Sequence, residues 1–81
     1  MKIQIALGTA LGKAIKAKRR QLGMSQEILS EKSGLHRTYI SDAERGSRNL
    51  SIQSMIRLAG GLDVPLSSLI AEAESLVRRQ A

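Results

Sequence analysis

The sequence contains no cysteine, one proline, one histidine and a single aromatic residue, Tyr39. Without cysteine there can be no disulfide, no thiol nucleophile and no cysteine-ligated metal. One histidine rules out a histidine–carboxylate–nucleophile set and makes no metal site of its own. With one aromatic ring the core must be aliphatic, and a platform for stacking single-stranded bases, which takes several rings, is not expected. No apolar run approaches the ~20 residues of a membrane-spanning helix. Met1 to Leu11 carries one lysine and a short apolar run, too weak a pattern for a signal peptide. There is no glycine-rich phosphate loop, no repeat and no low-complexity stretch. The expectation is a cytoplasmic protein that is not an enzyme, needs no cofactor or metal, and has no membrane partner.

What remains is 81 residues, 42% of them hydrophobic, enough for one domain and one modest core. The net charge of +6 is unevenly spread. Up to Gly61, 11 basic residues face 4 acidic ones, a net +7; from Leu62 onward 2 face 3, a net −1. A basic body with a near-neutral tail suits a polyanion-binding face joined to an assembly element. Charge alone describes an ordinary solubilising surface equally well.

Gly23, Gly34 and Gly46 each follow a short amphipathic segment, where a left-handed C-terminal cap favours glycine. The first helix is expected over about Thr9 to Leu22, with Leu11, Ile15 and Leu22 as its apolar stripe. Lys2 to Ile5 alternates like a strand but has no partner strand, so residues 1–8 are either an arm or extra helical turns. Ser25 can cap a second helix from Gln26 to Ser33, with Glu27 favourably placed in its first turn. A third spans about His36 to Arg45. A fourth begins after Ser51, with Ile52, Met55, Ile56 and Ala59 at helical spacing. Val64-Pro65 then breaks the chain, and a fifth helix over about 65–80 puts Leu66, Leu69, Ile70, Ala73 and Val77 on one face. The predicted fold class is all-α, a single domain over residues 1–81 with no sheet.

Two short helices joined at Gly34-Leu35 form the geometric core of a helix-turn-helix. With Ile40 set inward on the third helix, Ala43 and Glu44 lie on the inward side. Thr38, Asp42 and Arg45 point away, Ser41 is on the flank and Arg37 sits in the first turn. That short, polar outer face suits reading base edges in a major groove; a merely solvated face has the same pattern.

The order of the residues adds to this. From Leu11 to about Ala73 the chain resembles the Cro/Xre-like, or lambda-repressor-like, family of phage repressors and bacterial regulators. The segment KRRQLGMSQEILSEKSGLHRTYISDAERGSRNLSI carries the resemblance through Arg19, Ser25-Gln26, Leu29, Gly34, Ile40, Glu44, Gly46 and Asn49, followed by LAGGLDVP. The wording RTYIS with ER and SRN is similar to restriction–modification controller proteins. The resemblance implies a compact five-helix DNA-binding domain. It implies base contacts from Arg37, Thr38, Asp42 and Ser41, and backbone contacts from Gln26, Tyr39, Arg45, Ser47, Arg48 and Asn49. Asp42 either accepts from a cytosine amino group or orients Arg37 or Arg45. Tyr39 either meets the DNA or covers the edge of the core. The resemblance also implies a structural ion pair between Arg19 and Glu44; periodicity alone would equally permit Lys18. His36 stands where a serine or threonine cap is common, so its imidazole must cap the helix or touch phosphate. The Ser30 hydroxyl must find a backbone carbonyl, and Gly60-Gly61 loosens the fourth helix by ~1 kcal/mol per glycine.

The expected partners are double-stranded DNA, a second copy of the chain and, as a further candidate, RNA polymerase on the bacterial nucleoid. The homodimer is expected to form through Leu62, Val64, Leu66, Leu69, Ile70 and Leu76 and to read an inverted repeat. The rival function is an antitoxin whose C-terminal helix binds a protein partner while DNA binding serves autoregulation. The apolar stripe of the tail favours dimerisation over that role.

Overall fold

The computed structural model describes the backbone of residues 2–80 and the side chains of residues 6–79. Five helices follow one another: α1 (Lys2–Gln21), α2 (Gln26–Ser33), α3 (Arg37–Arg45), α4 (Ile52–Gly61) and α5 (Leu66–Gln80). No strand occurs among the described residues. α1 packs against α5 on one side and α3 on the other, while α2 packs against α3 and α4. Ile15, Leu29, Ile40, Leu58 and Leu62, one or more from each of the first four helices or their ends, are fully buried, and Leu69 and Ala73 close the core from α5. The core is aliphatic, as a chain with one ring requires.

α1 begins at Lys2, so the backbone of residues 2–8 is helical; the side chains of Lys2 to Ile5 lie outside the described residues. Two parts of the periodicity are corrected. Leu22 has the phase of the α1 stripe, yet it is 46% exposed, because it falls one residue past the helix, where the end overhangs the core. Ile52 and Ile56 share helical spacing with Met55 and Ala59, but they are 63% and 55% exposed while Ala59 and Leu58 face inward.

Two glycines hold α3 in place. A side chain at Gly12 would put its Cβ 2.2 Å from the Ala43 carbonyl oxygen, so α1 and α3 meet backbone to backbone. Gly46 ends α3 at φ 74°, a left-handed conformation that costs glycine nothing, and its backbone N–H donates to the Ala43 carbonyl. Gly60-Gly61 is not simply a weakness: a Cβ at residue 61 would lie 2.9 Å from Leu29 Cδ1, so α2 and α4 pack closely there. No helix among the described residues is long and apolar enough to cross a membrane.

Candidate DNA-binding surface

The surface is built on α2 and α3. Ser25 caps α2, its hydroxyl accepting from the Ile28 N–H at 3.1 Å. Gly34 and Leu35 turn the chain, and the Ser30 hydroxyl donates to the Leu35 carbonyl at 2.6 Å, pinning that turn. His36 is the N-cap of α3: its Nδ1 accepts from the Thr38 N–H at 3.1 Å, the service a serine or threonine hydroxyl usually performs.

Beneath α3 lies the ion pair. Arg19 donates to Glu44 from Nε at 2.6 Å and from Nη2 at 3.0 Å, and from Nη1 to the Met24 carbonyl at 2.8 Å. The two side chains are 11% and 3% exposed. The hydrogen bond to Glu44 raises the pKa of Arg19 above its already high ordinary value, against the opposing pull of burial and with the charges of Glu44 and Glu27 assisting. Gln26 joins this cluster, its Nε2 donating to Glu44 Oε1 at 3.0 Å. The amide keeps a second hydrogen at the start of α2. Sequence reasoning found the pair but not this third member; Gln26, three positions before Leu29, gave no sign of an inward bond.

On the outer side Ile40, Ala43 and Glu44 turn away from solvent, and Arg37, Thr38 and Arg45 are exposed. Arg37 has no hydrogen-bond or ion-pair partner among the described residues. Asp42, Arg45 and Arg48, by contrast, are engaged with one another. The Asp42 carboxylate accepts from Arg45 and, on its other oxygen, from Arg48 Nη2 at 3.0 Å. Arg45 also donates to the Ser41 hydroxyl at 2.7 Å. The Arg48 guanidinium stacks over the Tyr39 ring, 4.6 Å from its centroid, a cation–π contact that places both at the loop after α3. Ser47 folds back on α3, its hydroxyl donating to the Asp42 carbonyl at 3.1 Å. Asn49 is exposed beside them.

In the single chain Asp42 is bonded to Arg45 and not to Arg37. Arg48 is a second partner that the helical wheel could not show. Tyr39 covers neither the core edge alone nor open solvent; it is half-buried under Arg48. The dimer-interface assignment needs a larger correction. Leu62 is 1% and Leu69 4% exposed, both inside the chain's own core, so neither has surface to offer a partner. Val64, Leu66 and Leu76 are half-buried against the same core, and Ile70 is half-buried.

A buried, cross-braced α3 with a polar outer face, preceded by a capped α2 and a glycine turn, defines a helix-turn-helix DNA-binding regulator. The chain belongs to the helix-turn-helix family, in its Cro/Xre-type branch, and the family's sequence profile matches residues 15–69. It is 40% identical over 60 residues to control protein C.SmaI of Serratia marcescens, covering 74% of this chain and 71% of that protein. It is 34% identical over 70 residues to the immunity repressor protein of Bacillus phage phi105, covering 86% of this chain. The chain spans about half, 48%, of that repressor's length. Its structure superposes on that of the restriction–modification controller protein C.Esp1396I with a TM-score of 0.83 at 38% identity, over 90% of this chain and 95% of the other.

Proposed function

We propose that this chain is a transcription regulator of the restriction–modification controller kind, binding an inverted-repeat operator as a homodimer in the bacterial cytoplasm. The observation that carries the DNA-reading part is the contrast on α3. Arg37 and Thr38 stand free at its N-terminal end, while Asp42 holds Arg45 and Arg48 in fixed positions further along. Free groups at the tip suit base edges: arginine pairs bidentately with guanine, and threonine serves either base. Held cations suit phosphates, whose positions do not depend on sequence. In this reading Asp42 is a positioning residue rather than a reader of cytosine. Ser41 stays with it as the acceptor for Arg45, and Gln26, Tyr39, Ser47 and Asn49 line the backbone contact.

The dimer follows from information content. One recognition helix reads only a few base pairs, too few to mark one site in a genome. Two helices about 34–36 Å apart read two half-sites one DNA turn apart. Bound at a promoter, such a dimer would either exclude RNA polymerase or recruit it.

The test is selection from random duplex DNA. An inverted repeat with half-site centres about 10 base pairs apart is expected. Recovery of sequences with no shared motif would end the reading of α3 as a specific reader.

A further inference from the structure

Resting on the reading of α3 above, we propose that Ser41 and Asp42 set the sequence specificity of this protein by restraint. They turn the guanidinium of Arg45 back onto its own helix and so keep it from reading guanine. The operator is then read by Arg37 and Thr38, while a third side chain placed on the same face is withheld.

Arg45 has the position of a reader. It is exposed and lies seven residues after Thr38, itself exposed. Seven residues are close to two turns, so the two side chains leave α3 within about 20° of one line and about 10 Å apart along it. Helical side chains lean toward the N-terminus, so Arg45 covers the turn on the Thr38 side of its own Cα and not the loop beyond. A long cation at that place carries the paired donors that a guanine edge accepts.

What withholds it is the direction of its donors. An arginine pairs bidentately through Nη1 with Nη2, or through Nε with Nη2. Here Nη1 donates to the Ser41 hydroxyl at 2.7 Å, and Nη2 donates to Asp42 Oδ1. Either way of forming the fork therefore uses a nitrogen already turned to α3. The hydrogens left over suit single bonds to phosphate, the backbone role assigned to Arg45 above. Arg37, at the other end of the face, is the contrast, with no hydrogen-bond or ion-pair partner among the described residues.

The carboxylate that holds Arg45 is itself held. Its second oxygen accepts from Arg48 Nη2 at 3.0 Å, and the Arg48 guanidinium lies over the Tyr39 ring. Ser47 ties the intervening turn to the Asp42 carbonyl twice, from its N–H at 3.0 Å and from its hydroxyl at 3.1 Å. A carboxylate bonded to Arg45 alone could swing with it and steady it against a base. Anchored to Arg48 on its other oxygen, Asp42 keeps Arg45 at the helix instead. An isolated exposed ion pair holds weakly. Here Arg45 has two acceptors and Asp42 two donors, so release costs several contacts of one network together.

The experiment is selection from random duplex DNA with four forms of the full chain, each checked for helical content by far-UV circular dichroism. They are wild type, Arg45→Gln, the double variant Ser41→Ala/Asp42→Asn, and that double variant with Arg45→Gln added. Arg45→Gln in the wild-type background is expected to weaken binding and leave the selected motif unchanged. The double variant is expected to keep the base pairs read by Arg37 and Thr38 and to gain a guanine at a further position of each half-site. That guanine should be preferred about 5- to 150-fold over other bases, the range of one bidentate pair. Adding Arg45→Gln should remove the new guanine. If Arg45→Gln by itself erases a base from the wild-type motif, Arg45 already reads and the restraint is wrong. This arm leaves Ser41 and Asp42 intact, so it decides the matter even if the double variant loses helix. If the double variant is folded and selects the wild-type motif, or loses a cytosine from it, the restraint is likewise wrong. A wild type that selects no motif removes the reading of α3 itself, which the other adverse results leave standing.

Discussion

Replacing Glu44 by glutamine should unfold this protein early without changing the DNA sequence it prefers. The carboxylate takes three hydrogen bonds, two from Arg19 at 2.6 and 3.0 Å and one from Gln26 at 3.0 Å. A glutamine there keeps one accepting oxygen but turns an N–H pair toward a donor. The Arg19 guanidinium, 11% exposed, loses its counter-charge and retains the Met24 carbonyl. Breaking a buried pair costs about 3–5 kcal/mol. The surviving acceptor and the carbonyl put this case near the lower end, at about 3 kcal/mol. For a domain of this size each kcal/mol moves the melting temperature by about 4–8 °C, so Glu44→Gln should melt about 12–24 °C below wild type. Arg19→Met alone should cost a comparable amount, and the double variant much less than the sum, because the two residues act as one unit. The pH dependence has a definite sign. Arg19 has its pKa raised by folding, so its contribution is fully present below the ordinary arginine pKa and is lost only as pH rises through the folded value. On its account the difference between wild type and variant should stay flat from about pH 6 to 9. The assay is thermal melting by circular dichroism, paired with site selection from random DNA. An unchanged melting temperature would refute the ion-pair account, and a shifted operator motif would mean that Glu44 takes part in reading.

Arg37→Ala and Thr38→Ala should each cost roughly 1–3 kcal/mol at particular base pairs, read by competition with operators substituted one pair at a time. Arg48→Ala should weaken all sequences alike and lower the salt slope by about 0.9; the same behaviour from Arg37→Ala would remove the distinction between reader and anchor. Gly12→Ala forces a methyl against the Ala43 carbonyl and should destabilise by about 1–3 kcal/mol, seen as a lower urea midpoint. His36→Ala should cost about 0.5–2 kcal/mol and His36→Asn little, since the second can still accept from the Thr38 N–H; equal losses would show that the imidazole is not the cap.

The sequence made some of these details legible and hid others for physical reasons. The need of Ser30 for a carbonyl, and of His36 for a capping or phosphate partner, follow from groups that cannot be left unsatisfied, whatever the details of packing; the Arg19–Glu44 pair came from the family resemblance, since periodicity permits Lys18 equally. Helical phase carries less. It places Leu22, Ile52 and Ile56 on stripes but does not say what lies opposite them. The same limit turned Leu62 and Leu69 into interface residues: a phase analysis sees two apolar faces and cannot tell which is covered by the chain's own helices. Asp42 shows a third limit. Its partner Arg48 lies beyond the end of α3, and only the left-handed turn at Gly46 brings it back within reach.

The bare backbone contact at Gly12 bears on how such a protein could acquire new operators. In most helix packings the gap between axes is set by side chains, and a change of residue alters the depth at which a helix rides. Here α3 rests on α1 through a main-chain carbonyl, so its height above the body is a fixed standoff of atomic radii. If Arg37 and Thr38 read bases as proposed, exchanges there alter what is read without altering how far the reader reaches. The scaffold behaves like a chuck with one setting, into which different bits can be fitted, and drift in binding specificity can proceed by single exposed residues with no repacking beneath them.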